Sequence, residues 1–288
     1  MTRMIAEREI AADMHPAPLT MDGSALLHQM FRFDWPAWRG LEEAERKEIV
    51  AEAQAAFAVM EAGQSHGHPN QSAMFAQLGH KGDLMFVHFR ETMEELAKLE
   101  RDMARLRLSD YLEPMESYVS VVELGLYESS AKVYAQLAAE GVEPHSEIWN
   151  QRVAEVLERQ STAMAVRLFP AIPQGKYLCF YPMDRKRGEE VNWYTESMAE
   201  RQRMMHDHGM IGRRYADVVR QVISGSIGFD DWEWGVDLFS DDATVFKKLI
   251  YEMRFDEASA LYAEFGPFYI GVRLPAAELG SWLAMEGA

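Results

Sequence analysis

The segment KYLCFYPM, residues 176–183, decides the fold, because it starts a second round of an element order that the chain has already completed once. Its alternate positions carry Tyr177, Cys179, Tyr181 and Met183, the period-two pattern typical of a β-strand. Beyond it, the residue patterns predict a helix at 192–209, strands at 218–228 and 232–239, a helical stretch at 242–265 in one or two pieces, and a last strand at 267–274. The order is therefore β-α-β-β-α-β.

The same order is predicted upstream of this segment. It comprises a strand at 26–35, a helix at 40–63, a hairpin around His80-Lys81-Gly82, a helix at 91–111 and a strand at 115–127. Two consecutive β-α-β-β-α-β units are the ferredoxin-like motif used twice, which predicts the α+β class. We divide the chain into an arm (1–22), a first ferredoxin-like half (23–127), a linker with helices (128–175) and a second half (176–288).

Composition and charge exclude several classes of function. A formal charge of −17 argues against nucleic acid as a partner. Cys179 is the single cysteine, so no intrachain disulfide can form. The start of the chain lacks the apolar run of a signal peptide, and no stretch approaches the length of a membrane span. These features predict a cytoplasmic protein without a membrane span.

The segment ERQRMMHDHGMIGRRY, residues 200–215, holds two histidines two positions apart. On a helix such residues point about 200° apart, so His206 and His208 cannot face one ligand. His208 shares its side with Met204 and Met205, a setting that suits a single axial ligand of haem. The alternative is a core histidine bonded to a backbone carbonyl.

Other polar groups lie where a ligand could meet them. Tyr181 ends a strand beside the basic run Arg185-Lys186-Arg187, which indicates either an anionic ligand or solvated loop charges. Gln221 falls among aliphatic residues and, if it is buried, needs partners, which are either a ligand or water above a metal or the neighbouring backbone. Arg254 and Ser259 lie near a helix break, where they could both grip a carboxylate, unless Arg254 is a surface residue paired with Asp256 or Glu257.

Several long motifs together resemble one family. They are CFYPMDRKRG followed by NWY, then MMHDHGMIGRRY, GSIGFDDWEWGVDLF and KKLIYEMRFDEASALYAEFG. In order and spacing they closely resemble the coproheme decarboxylases, the haem-synthesis branch of the chlorite dismutase family, over roughly residues 24–275. The resemblance implies two ferredoxin-like halves forming a dimeric α+β barrel, a haem-binding second half and a homopentamer.

The resemblance also implies roles for individual residues. His208 matches the proximal iron ligand and Tyr181 the redox-active tyrosine. The remaining matches lie around the porphyrin or its propionates, and they are Gln221 (distal), Trp193, Met183, Arg185, Arg167, Arg213, Arg254 and Ser259. Many relatives carry lysine at the position of Arg185, and that lysine is thought to donate a proton. Arginine does not readily release one, and Lys186 could replace it only if the loop turned it inward.

The implied reaction is oxidative decarboxylation of coproheme, the iron complex of coproporphyrin III. Hydrogen peroxide drives the conversion of two propionates to vinyl groups through a tyrosyl radical, and the product is haem b. Coproheme is thus both substrate and redox cofactor, and a transient contact with coproporphyrin ferrochelatase is implied.

Two other functions compete with this interpretation. A chlorite dismutase needs a distal arginine at the position of Gln221, and strand alternation should aim the adjacent Arg220 away from it. A haem carrier or sensor would bind without turnover.

Overall fold

The computed structural model describes residues 17–63 and 68–284. The first half contains strands β1 to β4 and helices α1 to α3, which are β1 (Thr20–Phe33), α1 (Trp35–Arg39), α2 (Glu43–Ala62), β2 (Gln71–Gln77), β3 (Leu84–Arg90), α3 (Met93–Met103) and β4 (Leu112–Gly125). The linker holds α4 (Tyr127–Ala139) and α5 (Glu147–Leu168).

The second half repeats the order. Its elements are β5 (Tyr177–Arg185), α6 (Met198–Arg214), β6 (Arg220–Gly225), β7 (Trp234–Ser240), α7 (Thr244–Met253), α8 (Glu257–Tyr262), β8 (Ala263–Phe265), β9 (Tyr269–Arg273) and α9 (Leu279–Ala284). Short 3-10 turns lie at Arg107–Tyr111, Trp193–Thr195 and Ala276–Glu278. None of the described helices is long and apolar enough to cross a membrane.

The strands close into an antiparallel barrel. The first half has the strand order β4-β1-β3-β2, and the second has β6-β7-β5-β9 with β8 on the edge of β5. Strand β4 pairs with β6 at Val121 and Gly225, and β2 pairs with β9 at Phe75 and Arg273. Each half thus fills the open edges of the other, which confirms the predicted fold class.

Residue alternation divides each strand between two hydrophobic layers. On β5, Leu178 and Phe180 point into the barrel, where they join the interior cluster. Cys179 and Tyr181 point outward and pack with residues of β7 and α7. The alternation of KYLCFYPM therefore reflects a strand buried on both faces, with the barrel interior on one side and a helix-covered layer on the other.

The structure places several element boundaries differently from the sequence-based prediction. Strand β1 starts at Thr20 and pairs with Gly125, so residues 20–22 belong to the barrel and not to the arm; residues 1–16 lie outside the described residues. The helix expected at 192–209 begins at Met198, because the Ser197 side chain accepts a hydrogen bond from the Glu200 N–H and caps it there. Residues 263–265 are strand and not helix, since they pair with β5.

Candidate functional site

A cavity of about 1360 Å³ lies between α6 and the outward face of β5, β6 and β7. This volume exceeds the roughly 300–1,000 Å³ of clefts that hold drug-sized ligands. All but one of the candidate residues line it: Arg167, Tyr181, Met183, Arg185, Trp193, His208, Arg213, Gln221 and Ser259. The fold therefore brings side chains from α5, α6, β5, β6 and α8 to one chamber large enough for a tetrapyrrole.

His208 is held by a buried carboxylate. Its Nδ1 lies 2.9 Å from Oδ2 of Asp256, whose side chain is 4% exposed. An ionised carboxylate only accepts hydrogen bonds, so Nδ1 donates and the lone pair of the ring is on Nε2. No described residue bonds to Nε2, so that nitrogen is available to a metal.

Asp256 also caps α8, where its Oδ1 accepts from the Ser259 N–H at 2.9 Å. Burial by itself raises the pKa of the Asp256 carboxyl, but hydrogen bonds from His208 and Ser259 outweigh it and hold this pKa below its usual value. Sequence reasoning weighed Asp256 only as a partner of Arg254. The usable signal was the helix-start pattern DEAS, in which aspartate precedes serine by three positions.

Ser259 and Arg254 do not form the carboxylate grip suggested by their spacing. The Ser259 hydroxyl donates to Asp256 Oδ2 at 3.1 Å and lies 3.3 Å from His208 Nδ1, so it supports the histidine. Arg254 is exposed, stacks on the Phe265 ring at 4.6 Å and does not line the cavity. Its expected acidic neighbours are paired elsewhere, Asp256 with His208 and Glu257 with Arg203.

Tyr181 is buried among aromatic rings at the cavity wall. Its ring centroid lies 4.7 Å from that of Phe268 and 5.7 Å from that of Phe265. Burial raises the pKa of this phenol well above its usual value, so it stays protonated at neutral pH. Within the described part of the chain nothing forms a hydrogen bond with its hydroxyl, which leaves the O–H free for a ligand in the cavity.

Gln221 and Arg220 both line the cavity. Gln221 is exposed there, so its amide needs no protein partner, while Val222 faces the barrel interior. The expectation that strand alternation would turn Arg220 away is not met. Arg220 is the first residue of β6, and its long side chain folds back to donate to the Ala216 carbonyl beyond the end of α6.

Arg185 is a buried cation, with 8% of its surface exposed. Its Nη1 donates to the Ala258 carbonyl at 3.0 Å, its Nη2 lies 3.3 Å from the Met205 sulfur, and the guanidinium lies 4.6 Å from the Trp193 ring centroid. Burial lowers the pKa of this guanidinium, yet no described carboxylate forms an ion pair with it. Lys186 is exposed and does not line the cavity, so the loop does not turn it inward.

Arg167 and Arg213 show the same lack of acidic partners among the described residues. Their guanidinium groups contact methionine sulfurs, Met164 at 3.7 Å and Met210 at 3.3 Å respectively. By contrast, Arg203 and Arg214 on the same helix as His208 pair with glutamates. In a chain of formal charge −17, arginines left without carboxylates at one cavity favour an anionic ligand.

The donor set fits a haem and not a metal bound by protein ligands alone. Among the described residues, no group of three or more His, Cys, Asp or Glu side chains could hold a metal ion. A haem needs only one axial imidazole, because the macrocycle supplies the other four nitrogen ligands. His208 lines the cavity, has one nitrogen held by Asp256 and has no described partner on the other, so it meets that need.

Comparisons with known proteins agree with this description. A family model described as chlorite dismutase matches residues 46–274. The solved structure of a heme-binding protein from Thermus thermophilus is similar with a TM-score of 0.78 and 35% identity, covering 93% of this chain and 98% of that one. A mutant chlorite dismutase from Candidatus Nitrospira defluvii has a TM-score of 0.67 at 19% identity, covering 93% and 98% of the two chains, and this likeness supports the fold alone.

Proposed function

The chain belongs to the chlorite dismutase family, and from this premise we propose that it is a coproheme decarboxylase. In this reaction hydrogen peroxide drives the conversion of two propionates of iron-coproporphyrin III to vinyl groups, which yields haem b. A cytoplasmic location, a homopentamer and transient contact with coproporphyrin ferrochelatase belong to the same proposal.

The observation that carries the proposal is the shared cavity of His208, Tyr181 and Arg185. His208 offers a ring nitrogen to iron, Tyr181 offers a protonated phenol, and Arg185 offers a buried cation that has no carboxylate partner among the described residues. A haem-binding protein without turnover needs the first alone. A buried cation is costly unless an anion joins it, so Arg185 favours a ligand whose carboxylate enters the cavity.

When bound, iron-coproporphyrin and peroxide supply the oxidising power of the reaction. His208 would hold the iron through Nε2, with Asp256 fixing the ring. Tyr181 would give up an electron and a proton to the bound oxidant and would recover both by taking a hydrogen atom from the β-carbon of a propionate. That propionate would then lose carbon dioxide and one further electron, which leaves the vinyl group, and the uncharged amide of Gln221 would add no charge to the cavity.

No lysine among the described residues lines the cavity, so the proton that the resemblance assigns to a loop lysine has another source. Arg185 keeps its proton even though burial lowers the pKa of its guanidinium. Lys186 is exposed outside the cavity. We therefore assign Arg185 to holding a propionate by charge-assisted hydrogen bonds and not to proton transfer.

The direct test is incubation of purified protein with coproheme and hydrogen peroxide, followed by mass spectrometry of the porphyrin. We expect successive loss of two carboxyl groups and accumulation of haem b. Recovery of intact coproheme from protein shown to bind it would overturn the enzymatic proposal and favour a carrier or sensor.

The choice of histidine is tested by a matched pair. His208→Ala should shift the Soret band of the bound porphyrin, because it removes the axial nitrogen. His206→Ala, two positions along the same helix, should leave that band in place. Equal spectra for His208→Ala and the unchanged chain would mean that another group binds the iron.

Chlorite dismutase activity remains the second candidate, because Arg220 lines the cavity beside Gln221. Its guanidinium is engaged by the Ala216 carbonyl, which reduces its freedom to act on a distal ligand. Chlorite added to the haem-loaded protein distinguishes the two candidates. Steady oxygen release that is lost in Arg220→Gln would favour the dismutase.

A further inference from the structure

We propose that Met205 is a site of peroxide modification, at which oxidation of the thioether to the sulfoxide holds Arg185 away from the carboxylate of the cavity ligand. The inference rests on the proposed function for the presence of peroxide and of a carboxylate ligand. It requires no turnover, so it can be tested separately.

The contact between Met205 and Arg185 joins two different elements. Met205 lies on α6 and lines the cavity, with its sulfur 3.3 Å from Nη2 of Arg185 at the end of β5. The guanidinium–sulfur contacts of Arg167 and Arg213 are local, since each arginine meets a methionine three positions earlier on its own helix. Modification of Met205 on α6 would therefore act on Arg185, which belongs to a different element, β5.

The remaining contacts of Arg185 leave Nη2 as its adjustable donor. Nη1 is bound to the Ala258 carbonyl, and the Trp193 ring lies at 4.6 Å from the guanidinium. A thioether is a weak acceptor, so an incoming carboxylate displaces it readily. A sulfoxide oxygen is a strong, polar acceptor at the same place, and a carboxylate must then compete with it.

Position along α6 separates Met205 from its neighbour. Met205 is half-buried and faces the cavity that peroxide must enter. Met204 is 2% exposed, packs with Trp193, Ala258 and Tyr262, and does not line the cavity. The adjacent methionine is thus a built-in control of the same residue type.

The chemistry is a two-electron oxygen transfer. The Met205 sulfur attacks one oxygen of hydrogen peroxide, an S–O bond forms and the O–O bond breaks. The departing oxygen leaves as water after a proton shift, so sulfur is oxidised and peroxide is reduced. Methionine sulfoxide reductases reverse the change. Excess peroxide would in this way lower ligand affinity until the sulfoxide is reduced.

The experiment uses the protein without haem. Hydrogen peroxide is added to three proteins, which are the original chain, Met205→Leu and Met204→Leu. Peptide mass spectrometry then locates the oxidised methionines. Fluorescence titration with metal-free coproporphyrin, a tetracarboxylate, measures the affinity of each protein. We expect the peptide map to show Met205 sulfoxide. Porphyrin binding should be about tenfold weaker, because the sulfoxide removes one charge-assisted hydrogen bond between Arg185 and the porphyrin. Treatment with methionine sulfoxide reductase should restore binding.

The two variants isolate the site. Peroxide should leave the affinity of Met205→Leu unchanged, whereas Met204→Leu should respond like the original chain. The inference is wrong if Met205 stays unmodified while Met115, which is 37% exposed, is oxidised. It is equally wrong if peroxide weakens binding in Met205→Leu. Failure of the untreated chain to bind coproporphyrin overturns the proposed ligand itself, and the inference with it.

Discussion

At the scale of single residues, the candidate site depends on side chains that meet across long distances in sequence. The carboxylate of Asp256 fixes His208 from 48 positions away. The same carboxylate caps α8, so one residue both starts a helix and orients the candidate ligand. The ring orientation therefore depends on the folding of the second half as a whole.

This arrangement predicts that Asp256→Asn weakens binding of haem iron by about 10–100-fold, the usual cost of losing the group that orients a ligating histidine. Titration with ferric coproheme, followed by the Soret band, measures the effect. Glu257→Gln is the matched control, because that carboxylate pairs with Arg203 and not with the histidine. Equal affinities for the two variants would show that Asp256 does not act on the ligand.

Part of the site is predictable from local patterns and part is not. The facing of Tyr181 and His208 relative to their neighbours follows from strand and helix periodicity, and both side chains line the cavity. The Asp256–His208 and Arg185–Met205 contacts depend on tertiary packing between separate elements, which periodicity cannot reveal. The same limit explains Ser259, whose spacing from Arg254 indicated a shared carboxylate while the fold aims its hydroxyl at Asp256.

At the scale of elements, α6 carries the candidate iron ligand and its start is set by Ser197. The Ser197 side chain accepts from the Glu200 N–H at 3.2 Å. The preceding 3-10 turn, Trp193–Thr195, has its own cap in Asn192. Sequence reasoning merged the two segments into one helix because both are rich in helix-compatible residues, and only the hydrogen bonds separate them.

Removing this cap should destabilise the helix. Ser197→Ala is expected to lower the free energy of unfolding by about 1 kcal/mol, the typical cost of losing a serine cap. Ser197→Asp should retain most of the stability, because aspartate accepts the same hydrogen bond. Urea denaturation of both variants provides the comparison, and an alanine variant as stable as the original chain would argue that the cap is unimportant.

At the scale of the whole molecule, the two halves are joined inside the barrel by a buried hydrogen bond between side chains. His28 on β1 and Asp237 on β7 lie 2.8 Å apart, and both side chains are 0% exposed. The His28 ring also stacks on Phe180 of the second half at 4.0 Å. The element order predicted two halves, but the polar contact that joins them required the closed barrel to be seen.

Breaking this pair should be costly. Asp237→Ala is expected to lower the free energy of unfolding by about 1–3 kcal/mol, since it leaves the buried His28 side chain without its hydrogen-bond partner. The exposed pair of Lys47 and Glu43 offers a control. Glu43→Ala should leave the free energy of unfolding, measured in the same denaturation experiment, nearly unchanged. Similar losses in both variants would contradict a special role for the interior pair.

Stability should also depend on pH through His88. Burial, followed by the charges of Arg90 and His28, holds the pKa of His88 well below its usual value. The folded chain keeps this ring neutral, whereas the unfolded chain takes up a proton near pH ~6.5. The stability that depends on a neutral His88 ring is therefore fully present above about pH 6.5, and it is lost as the pH falls below that value.

Denaturation midpoints at about pH 7.5 and 5.5, on either side of the unperturbed histidine pKa, test this dependence. The chain should be less stable at the lower pH. His88→Gln removes the titrating ring and should reduce the difference between the two midpoints. An unchanged difference in the variant would assign the pH dependence to other groups.

The most direct measurement compares the chain with Tyr181→Phe in the reaction of bound coproheme with hydrogen peroxide, analysed by mass spectrometry of the porphyrin. Spectroscopic titration is run on both proteins to compare their affinities. We expect nearly equal binding, with vinyl products from the original chain and intact propionates from the variant. Vinyl groups formed at a similar rate by the phenylalanine variant would contradict the claim that Tyr181 and His208 act on the same porphyrin.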